Sequence, residues 1–399
     1  MPDMNPLSDE FRNNREAVFK QLRDNAPILV TPQGMALISR YSDARAAALD
    51  VDTFSSGGMW DNPARPVMNT MDPPEHGTYV AMMNSSFDKK YQDGLEESFR
   101  KLARSLVKQA AGRTECDMIV DVLTPYMFGA CGIILGLNAE QLEELQYIDY
   151  RVQRNGTGQP EESPNALERC DALFSAVLAD RRTNPGSDHI SALLAIGSDG
   201  GRALTEIEML QYLFIFNNGN NITTLAAIGN GVELLARHPE QRAELVANPS
   251  LIPNAFSEMQ RREPPTHDST RVTTREITIS GVTLPANTPV LLLWAAANLD
   301  EREFADPEEF DIHRDTADSL AMGIGEHYCY GAYLARLEAR VFFEELLAVM
   351  PNFTPSAPPV RVKSVWSWAF ESIPVSIPCD QGCQGFKLMS LLSRCCTQV

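Results

Sequence analysis

A single cysteine lies in a glycine-rich loop that leads directly into a strongly predicted helix. Around Cys329 the loop contains two preceding glycines, a histidine two residues before it and a glycine two residues after it: Gly323, Gly325, His327 and Gly331. Glycine lets a backbone turn tightly and approach a flat ligand closely. Backbone N–H groups at a helix start lower a thiol pKa and favour the thiolate, the form that binds metals. The pattern predicts a metal-binding thiolate; a buried structural cysteine beside a glycine loop is the plainer alternative.

A long helix with a polar interruption is the second feature that could take part in chemistry. Apolar periodicity predicts a helix over 204–236, about nine turns if it is continuous. It begins at the capping box formed by Thr205 and Glu208 and ends before Pro239. Near its middle, the polar stretch 217–221 interrupts the apolar pattern.

The elements that must position these groups are mostly helical. Periodicity predicts further helices over 89–111, 116–136, 139–155, 165–182 and 330–349. Alternating segments predict a hairpin at 28–31 and 35–39, and strands at 271–280, 282–284 and 289–293. The sequence therefore predicts a mainly α protein with small β-sheets, in the α+β class.

Nothing in the chain divides it into several domains. It has no internal repeat and no low-complexity linker, so we predict one domain over 1–378. Residues 379–399 differ, since they contain four of the eight cysteines and follow a strand-like segment. Their last four residues lack the aliphatic positions of a prenylation box. We predict an atypical, disordered tail there.

Composition excludes several classes of function. The formal charge of −19 argues against nucleic acid as a partner, because phosphate binding needs a basic surface. The N-terminal residues lack the basic and apolar regions of a signal peptide, and we see no run of roughly 18 uninterrupted apolar residues. Eight cysteines in 399 residues do not form a small disulfide framework. These features predict a soluble, cytoplasmic protein without a membrane span.

The cysteine loop resembles the haem loop of the cytochrome P-450 family, Phe-x-x-Gly-x-His-x-Cys-x-Gly. Gly325, His327, Cys329 and Gly331 match that pattern, and Met322 stands where the family usually has the Phe. The resemblance implies haem b as cofactor, Cys329 as its iron ligand, and a fold with a long helix over the haem. The family's aromatic shields the sulfur, so its replacement by Met322 implies a shift in redox potential and no loss of ligation.

Further motifs occur in the family's order. Glu258 and Arg261 fit its Glu-x-x-Arg, with Arg314 resembling the third member of that buried network. Arg271 lies ten residues after Arg261, where the family has an Arg that binds a haem propionate, and His76 resembles another propionate ligand. Alone, Glu-x-x-Arg would be an ordinary helical ion pair.

One position near the propionates departs from the family. Four residues after His76 the family commonly has Arg, and here Val80 stands instead. Propionate binding would then rest on His76, Arg271 and His327, each a charge-assisted donor.

The interrupted helix resembles the family's oxygen-binding segment. Thr223, followed by Thr224, takes the oxygen-binding position, and a hydroxyl can both accept and donate a proton. Ile222 occupies the position of the family's acid and cannot carry protons, whereas Asn220 and Asn221 could orient water. The resemblance implies catalytic roles for Thr223, Thr224 and Asn221. A threonine bonded back to its own helix is the plainer alternative.

The resemblance also implies a substrate pocket, although each aromatic or Met side chain is individually more often core than pocket. The expected lining residues are Met59, Trp60, Met68, Phe216, Asn220, Thr266, His267, Trp366 and Trp368.

The function implied is a monooxygenase that inserts one atom of O2 into a lipophilic small molecule. No flavin or iron–sulfur motif occurs in the chain, so electrons would come from NAD(P)H through a separate ferredoxin or flavoprotein reductase. Two alternatives stay open. One is a haem-thiolate enzyme with peroxide-driven or non-hydroxylating chemistry, and the other is a non-enzymatic haem sensor or electron carrier.

Overall fold

The computed structural model describes residues 8–57, 67–149, 166–198, 200–364 and 367–378. Met59, Trp60 and Trp366, three of the predicted pocket residues, lie outside these ranges, as does the predicted tail 379–399. The division into a domain over 1–378 and a tail therefore stays a prediction.

Helices make up most of the described residues, as predicted. The α-helices are α1 Asp9–Asn25, α2 Tyr41–Leu49, α3 Glu75–Ser86, α4 Lys89–Asp93, α5 Glu96–Ala111, α6 Thr124–Leu135, α7 Ala139–Asp149, α8 Ala166–Thr183, α9 His189–Leu194, α10 Glu206–Asn218, α11 Leu225–Arg237, α12 Pro239–Ala247, α13 Ile252–Arg262, α14 Trp294–Ala297 and α15 Ala332–Val349. Short 3-10 turns occur at Met68–Thr70, Pro249–Leu251 and Gly325–His327, and π-helical segments at Met118–Leu123 and Gly219–Thr224.

The strands form four small sheets. They are β1 Ile28–Val30, β2 Ala36–Ile38, β3 Phe54–Ser55, β4 Glu115–Asp117, β5 Ser269–Thr273, β6 Ile277–Ile279, β7 Val282–Leu284, β8 Pro289–Leu292, β9 Thr354–Pro355, β10 Val360–Arg361, β11 Phe370–Ser372 and β12 Pro374–Ser376. The largest sheet has the order β1-β2-β8-β5-β3, in which β2 and β8 run parallel. The hairpin β1–β2 pairs Ile28 with Ile38, as the sequence predicted.

The long helix is continuous but changes its winding in the middle. Helix α10 begins at the predicted capping box, in which Thr205 and Glu208 each accept from the other's backbone N–H. Residues Gly219–Thr224 then form a π-helical turn, here called the π-turn, before α11 continues to Arg237. Helix α11 is buried along almost its whole length, so this element forms the centre of the main core.

Two predicted helices are interrupted in the structure. Over 89–111, helix α4 ends before Gly94 and α5 begins at Glu96. Over 116–136, the first residues instead form strand β4, which pairs with β12. Asp117 ends that strand by accepting hydrogen bonds from the backbone N–H groups of Ile119 and Val120. The apolar pattern alone could not separate a short buried strand from a helix.

One segment, Met118–Leu135, is long and apolar enough to cross a membrane by length and composition, whereas we predicted no membrane span. In the structure, 67% of this segment is buried inside the protein, as in a core helix.

A buried ion-pair network connects the core to the cysteine loop. Glu258 and Arg261, one turn apart on α13, are fully buried and joined by two hydrogen bonds of 2.6 and 2.8 Å. Arg314 Nε lies 3.2 Å from Glu258 Oε1, so the predicted third partner joins them. Arg261 also donates to the carbonyl oxygen of Asn298, whose side-chain oxygen accepts from the backbone N–H of Leu320. The chain leading to Cys329 is thus attached to this network.

Candidate active site

The cysteine loop, residues 321–331, has the backbone conformation that its glycines predicted. Gly323 and Gly325 have φ of 71° and 72°, a region that side chains disfavour. A Cβ on Gly325 would also lie 2.8 Å from Leu49 Cδ2. The backbone N–H of Cys329 donates to the carbonyl oxygen of Met322 at 2.8 Å and closes the loop. Two glycines and one hydrogen bond therefore hold the cysteine just before α15.

The loop and the π-turn border one cavity of about 510 Å³. Of the predicted site residues, those on its wall are Met68, His76, Phe216, Asn220, Thr223, Thr224, Thr266, Arg271, His327, Cys329 and Gly331. Sequence elements more than a hundred residues apart are thus brought to one space.

Cys329 is the reactive side chain at this cavity. Its thiol is exposed to the cavity and forms no disulfide. Burial by the surrounding protein raises the pKa of the Cys329 thiol, while the backbone N–H of Gly331 and the charge of Arg336 lower it. Metal coordination deprotonates a thiol outright. The side chain is thus placed as a metal ligand, and Gly331 leaves open space beside it.

Unpaired donors lie at another part of the cavity wall. Arg271 is 5% exposed, and its Nε has no hydrogen-bond partner among the described residues. The same holds for Nε2 of His327, whose ring lies 4.3 Å from that of His76 between centroids. A buried donor without an acceptor costs about 1–3 kcal/mol. These residues therefore fit a ligand that brings carboxylates to this edge, as haem does with its propionates.

The same donors have lowered pKa values. Burial lowers the pKa of Arg271, and the nearby Asp72 opposes this shift. Burial, with the charges of Arg271 and His76, lowers the pKa of His327 to about 4. An anion bound between them would raise both, because it stabilises their charged forms.

In the π-turn, the Thr223 side chain is bonded back to its own helix, which was the plainer alternative to an oxygen-binding role. Its hydroxyl donates to the carbonyl oxygen of Gly219, four residues earlier, at 2.7 Å. The side chain nevertheless borders the cavity, and so does that of Asn220. The hydroxyl oxygen keeps its capacity to accept a hydrogen bond from a ligand.

Asn221 is not on the cavity wall, contrary to the catalytic role expected for it. Its side-chain N–H groups bond Asn217 at 2.8 Å and the carboxylate of Asp149 at 3.3 Å. Burial raises the pKa of Asp149 to about 7, against the hydrogen bonds of the two amides. Asn221 therefore belongs to a buried polar contact between α7 and the π-turn, because residues 217 and 221 share one helix face.

Two predicted pocket residues also lie away from the cavity. His267 Nε2 is 3.3 Å from Arg15, and Trp368 Nε1 donates to Glu263 at 2.6 Å. Arg15 pairs with Glu263 as well, at 3.0 Å. Arg15 on α1 and its partner Glu263 thus form a buried charge cluster that binds the rings of His267 and Trp368. We had predicted that these rings contact the substrate.

Several cavity residues were missed from the sequence. They include Gln211, Tyr212, Ile215, Gln260, Asp268 and Trp294. Tyr212 could have been found, because it precedes Phe216 by four residues and Asn220 by eight on one helix face. Gln260 and Asp268 carried no such signal.

Comparisons with known proteins agree with this geometry. The Cytochrome P450 family profile matches residues 243–364, which include the buried ion-pair network and the cysteine loop. The chain is 31% identical to a Steroid C26-monooxygenase of Mycobacterium tuberculosis over 387 residues, covering 94% of this chain and 97% of that protein. It is 32% identical to a Vitamin D(3) 25-hydroxylase of Pseudonocardia autotrophica, covering 87% and 89%.

Solved structures show the same likeness. Cytochrome P450 CYP109Q5 from Chondromyces apiculatus superposes with a TM-score of 0.85 at 31% identity, covering 94% of this chain and 98% of that one. The open form of cytochrome P450 EryK from S. erythraea gives a TM-score of 0.86 at 28% identity, with coverage of 94% and 98%. The chain belongs to the cytochrome P450 family and is a haem-dependent monooxygenase.

Proposed function

We propose that this P450 oxidises a lipophilic molecule of about steroid size, held between the π-turn and the haem that Cys329 binds. The observation that carries this proposal is the single cavity shared by Cys329, the unpaired donors Arg271 and His327, and Thr223. Apolar side chains such as Phe87, Ile215 and Phe216 form much of its wall. The activities after which the two relatives are named, on a steroid and on vitamin D(3), support this substrate class.

Each residue has a distinct part in this proposal. When bound, haem supplies the iron that activates oxygen. Cys329 holds that iron as a thiolate, and Arg271, His327 and His76 bind the propionates. After its hydrogen bond to Gly219 breaks, the Thr223 hydroxyl can donate a hydrogen bond into the cavity and accept one from water, so that it passes a proton on without a net loss of its own. Thr224 lies beside it on the wall. Asn220 orients water or substrate from the same turn.

The electron source and the location of the protein are further parts of the proposal. An electron donor on a separate chain, a ferredoxin with its reductase or a flavoprotein, would transfer electrons from NAD(P)H. Ferredoxin-dependent turnover fits a cytoplasmic protein, which is where we place it. The sensor or electron-carrier alternative is set aside, because the chain belongs to a family of monooxygenases.

A peroxide-driven reaction is the second candidate. Ile222 replaces the family's acid, and the buried acids nearest the π-turn contact amides of that turn: Asp149 bonds Asn221, and Glu338 bonds Asn220. Burial raises the pKa of Glu338 well above its usual value, against the hydrogen bond from Asn220. Neither acid lies on the cavity wall described here.

Thr223→Val separates the two candidates. With NADH, a surrogate ferredoxin system and a panel of steroids, we expect the haem-loaded protein to form product in step with NADH consumption. In Thr223→Val, product per NADH is expected to fall about tenfold or more, because the proton-donating hydroxyl is lost. Thr183→Val is the matched control, since Thr183 also bonds back to its helix but on an exposed surface. Turnover with hydrogen peroxide alone, unchanged in Thr223→Val, would instead support the second candidate.

Arg271→Leu tests propionate binding. Loss of a charge-assisted hydrogen bond costs about 1.5–3 kcal/mol, so haem should dissociate about ten- to a hundredfold faster. Transfer of haem to an excess of apomyoglobin measures this rate. Arg275→Leu is the control, because Arg275 bonds the hydroxyl of Thr53 and is exposed away from the cavity. Equal rates for the two variants would show that Arg271 does not hold the propionate.

A further inference from the structure

One carboxylate on the cavity wall, that of Asp268, has no partner among the residues that the structure describes. Asp268 precedes strand β5 and borders the cavity, and it makes no hydrogen bond or ion pair with any described residue. Its neighbours in sequence are both engaged: His267 contacts Arg15, and Ser269 accepts a hydrogen bond from Trp294 Nε1 at 2.8 Å. The side chain is therefore available to a molecule in the cavity.

A second carboxylate on the same wall, that of Glu208, has a full set of hydrogen-bond partners. Glu208 bonds the hydroxyl of Tyr79 and the guanidinium of Arg202, and it accepts from the backbone N–H of Thr205 at 2.7 Å. These contacts belong to the helix cap of α10. Asp268 has no comparable set, so the fold itself does not account for its charge.

The haem-binding donors do not compensate Asp268 either. Arg271 is three residues away, yet the acid that opposes the shift of its pKa is Asp72. Burial alone raises the pKa of Asp268 to about 6, without any neighbouring charge or hydrogen bond. Haem propionates are themselves anions and would repel this carboxylate. Because no described residue and no haem propionate can pair with Asp268, its partner is open to the substrate.

We propose that Asp268 is a specificity-determining residue that accepts a hydrogen bond from an O–H or N–H donor at one end of an otherwise lipophilic substrate. The inference rests on the proposed function and adds to it the polar group of the substrate. A bound molecule removes the remaining water from the carboxylate. A ligand with an alcohol or a protonated amine replaces that water, whereas a ketone or an ether leaves the carboxylate unpaired.

Because only a ligand with a donor group can pair with the carboxylate, Asp268 should discriminate strongly between alcohols or amines and the corresponding ketones or ethers. A site built to bond a substrate hydroxyl rejects the analogue that lacks it, because the buried polar group of the protein is then left alone. The apolar wall, including Met83 and Phe216, would bind both analogues alike. Selectivity between donor and acceptor analogues should therefore depend on this one residue.

The test measures binding of matched lipophilic pairs to the haem-loaded protein by equilibrium dialysis. Each pair consists of a 3-hydroxysteroid and its 3-ketone, or of a long-chain alcohol and its aldehyde. We expect the alcohol of at least one skeleton to bind about tenfold tighter than its partner. Asp268→Leu should remove this preference while leaving ketone affinity and the haem spectrum unchanged. Asp268→Asn, which keeps an acceptor oxygen but no charge, should retain part of it for alcohols and none for amines.

The control is Glu276→Leu, which removes an acid from the exposed turn after β5. It should leave the preference intact, because Glu276 lies outside the cavity. Absence of any preference in the unmodified protein, failure of all donor probes to bind, or a preference that survives in Asp268→Leu would overturn the inference. Failure of the proposed function would be visible separately, as a protein without the absorption spectrum of thiolate-bound haem.

Discussion

Replacing Cys329 with alanine should abolish the thiolate-type Soret band of the reduced, CO-bound protein and all NADH-driven product formation. The cavity offers the iron one thiol, that of Cys329, among the described residues. His327, two residues away, has its ring against His76 and cannot supply a thiolate. Haem that stays bound through its propionates and apolar contacts would no longer have a thiolate as axial ligand. Its spectrum would therefore differ from that of the unmodified protein.

Cys116→Ala is the matched control for this variant. Cys116 is buried, lies on strand β4 and is away from the cavity, and burial raises the pKa of its thiol to about 12. Its removal should leave the spectrum and the activity unchanged. Cys329→Ser, which conserves size, excludes a simple packing defect as the cause of the loss. A thiolate-type band that persists in both Cys329 variants would refute the assignment.

The second large effect should come from the buried ion-pair network. In Arg261→Met the carboxylate of Glu258 stays fully buried, with Arg314 as its one remaining cationic partner among the described residues and the backbone N–H of Asp311 as a further donor. The carbonyl oxygens of Asn298 and Pro307 lose the donor that Arg261 provides. Breaking a buried pair on one side costs about 3–5 kcal/mol. We expect a decrease of this size in the free energy of unfolding, measured by urea titration of the haem-loaded protein.

The comparison for that measurement is Lys20→Met. Lys20 is 52% exposed and pairs with Glu301 at 2.7 Å, so its loss should cost less than about 1 kcal/mol. Haem absorbance and far-ultraviolet circular dichroism should both be followed, because a protein with a bound cofactor need not unfold in two states. Equal losses in the two variants would show that the network does not contribute as a buried pair.

Much of this architecture is predictable from local sequence signals. The capping box at Thr205 and the glycines of the cysteine loop specify conformations within a few residues, and both occur as predicted. The mainly α fold class is also confirmed. It could be predicted because the 3.6-residue periodicity of a helix is a local pattern. Residue roles in catalysis and haem binding stay predictions until the variants above are measured.

Three predicted site residues lie off the cavity wall, and in each case a residue distant in sequence binds the side chain. His267 and Trp368 were placed at the substrate, but Arg15 on the N-terminal helix engages one and Glu263 the other. Asn221 was placed at the oxygen, but Asp149 on α7 binds it. No pattern within a short window reveals a partner so far away along the chain. Periodicity could have separated Asn221 from Asn220, because adjacent helical residues lie 100° apart.

The two walls of the cavity are each anchored by contacts of their own, and one contact also joins them. The π-turn is held through Asp149 and the cap of α10, whereas the cysteine loop is attached through Asn298 to the buried ion-pair network. The two sets meet where Glu338 on α15 bonds Asn220 of the π-turn. Evolution of a new substrate range is therefore constrained at this point, because a change at Asn220 also alters the contacts of the helix that follows Cys329.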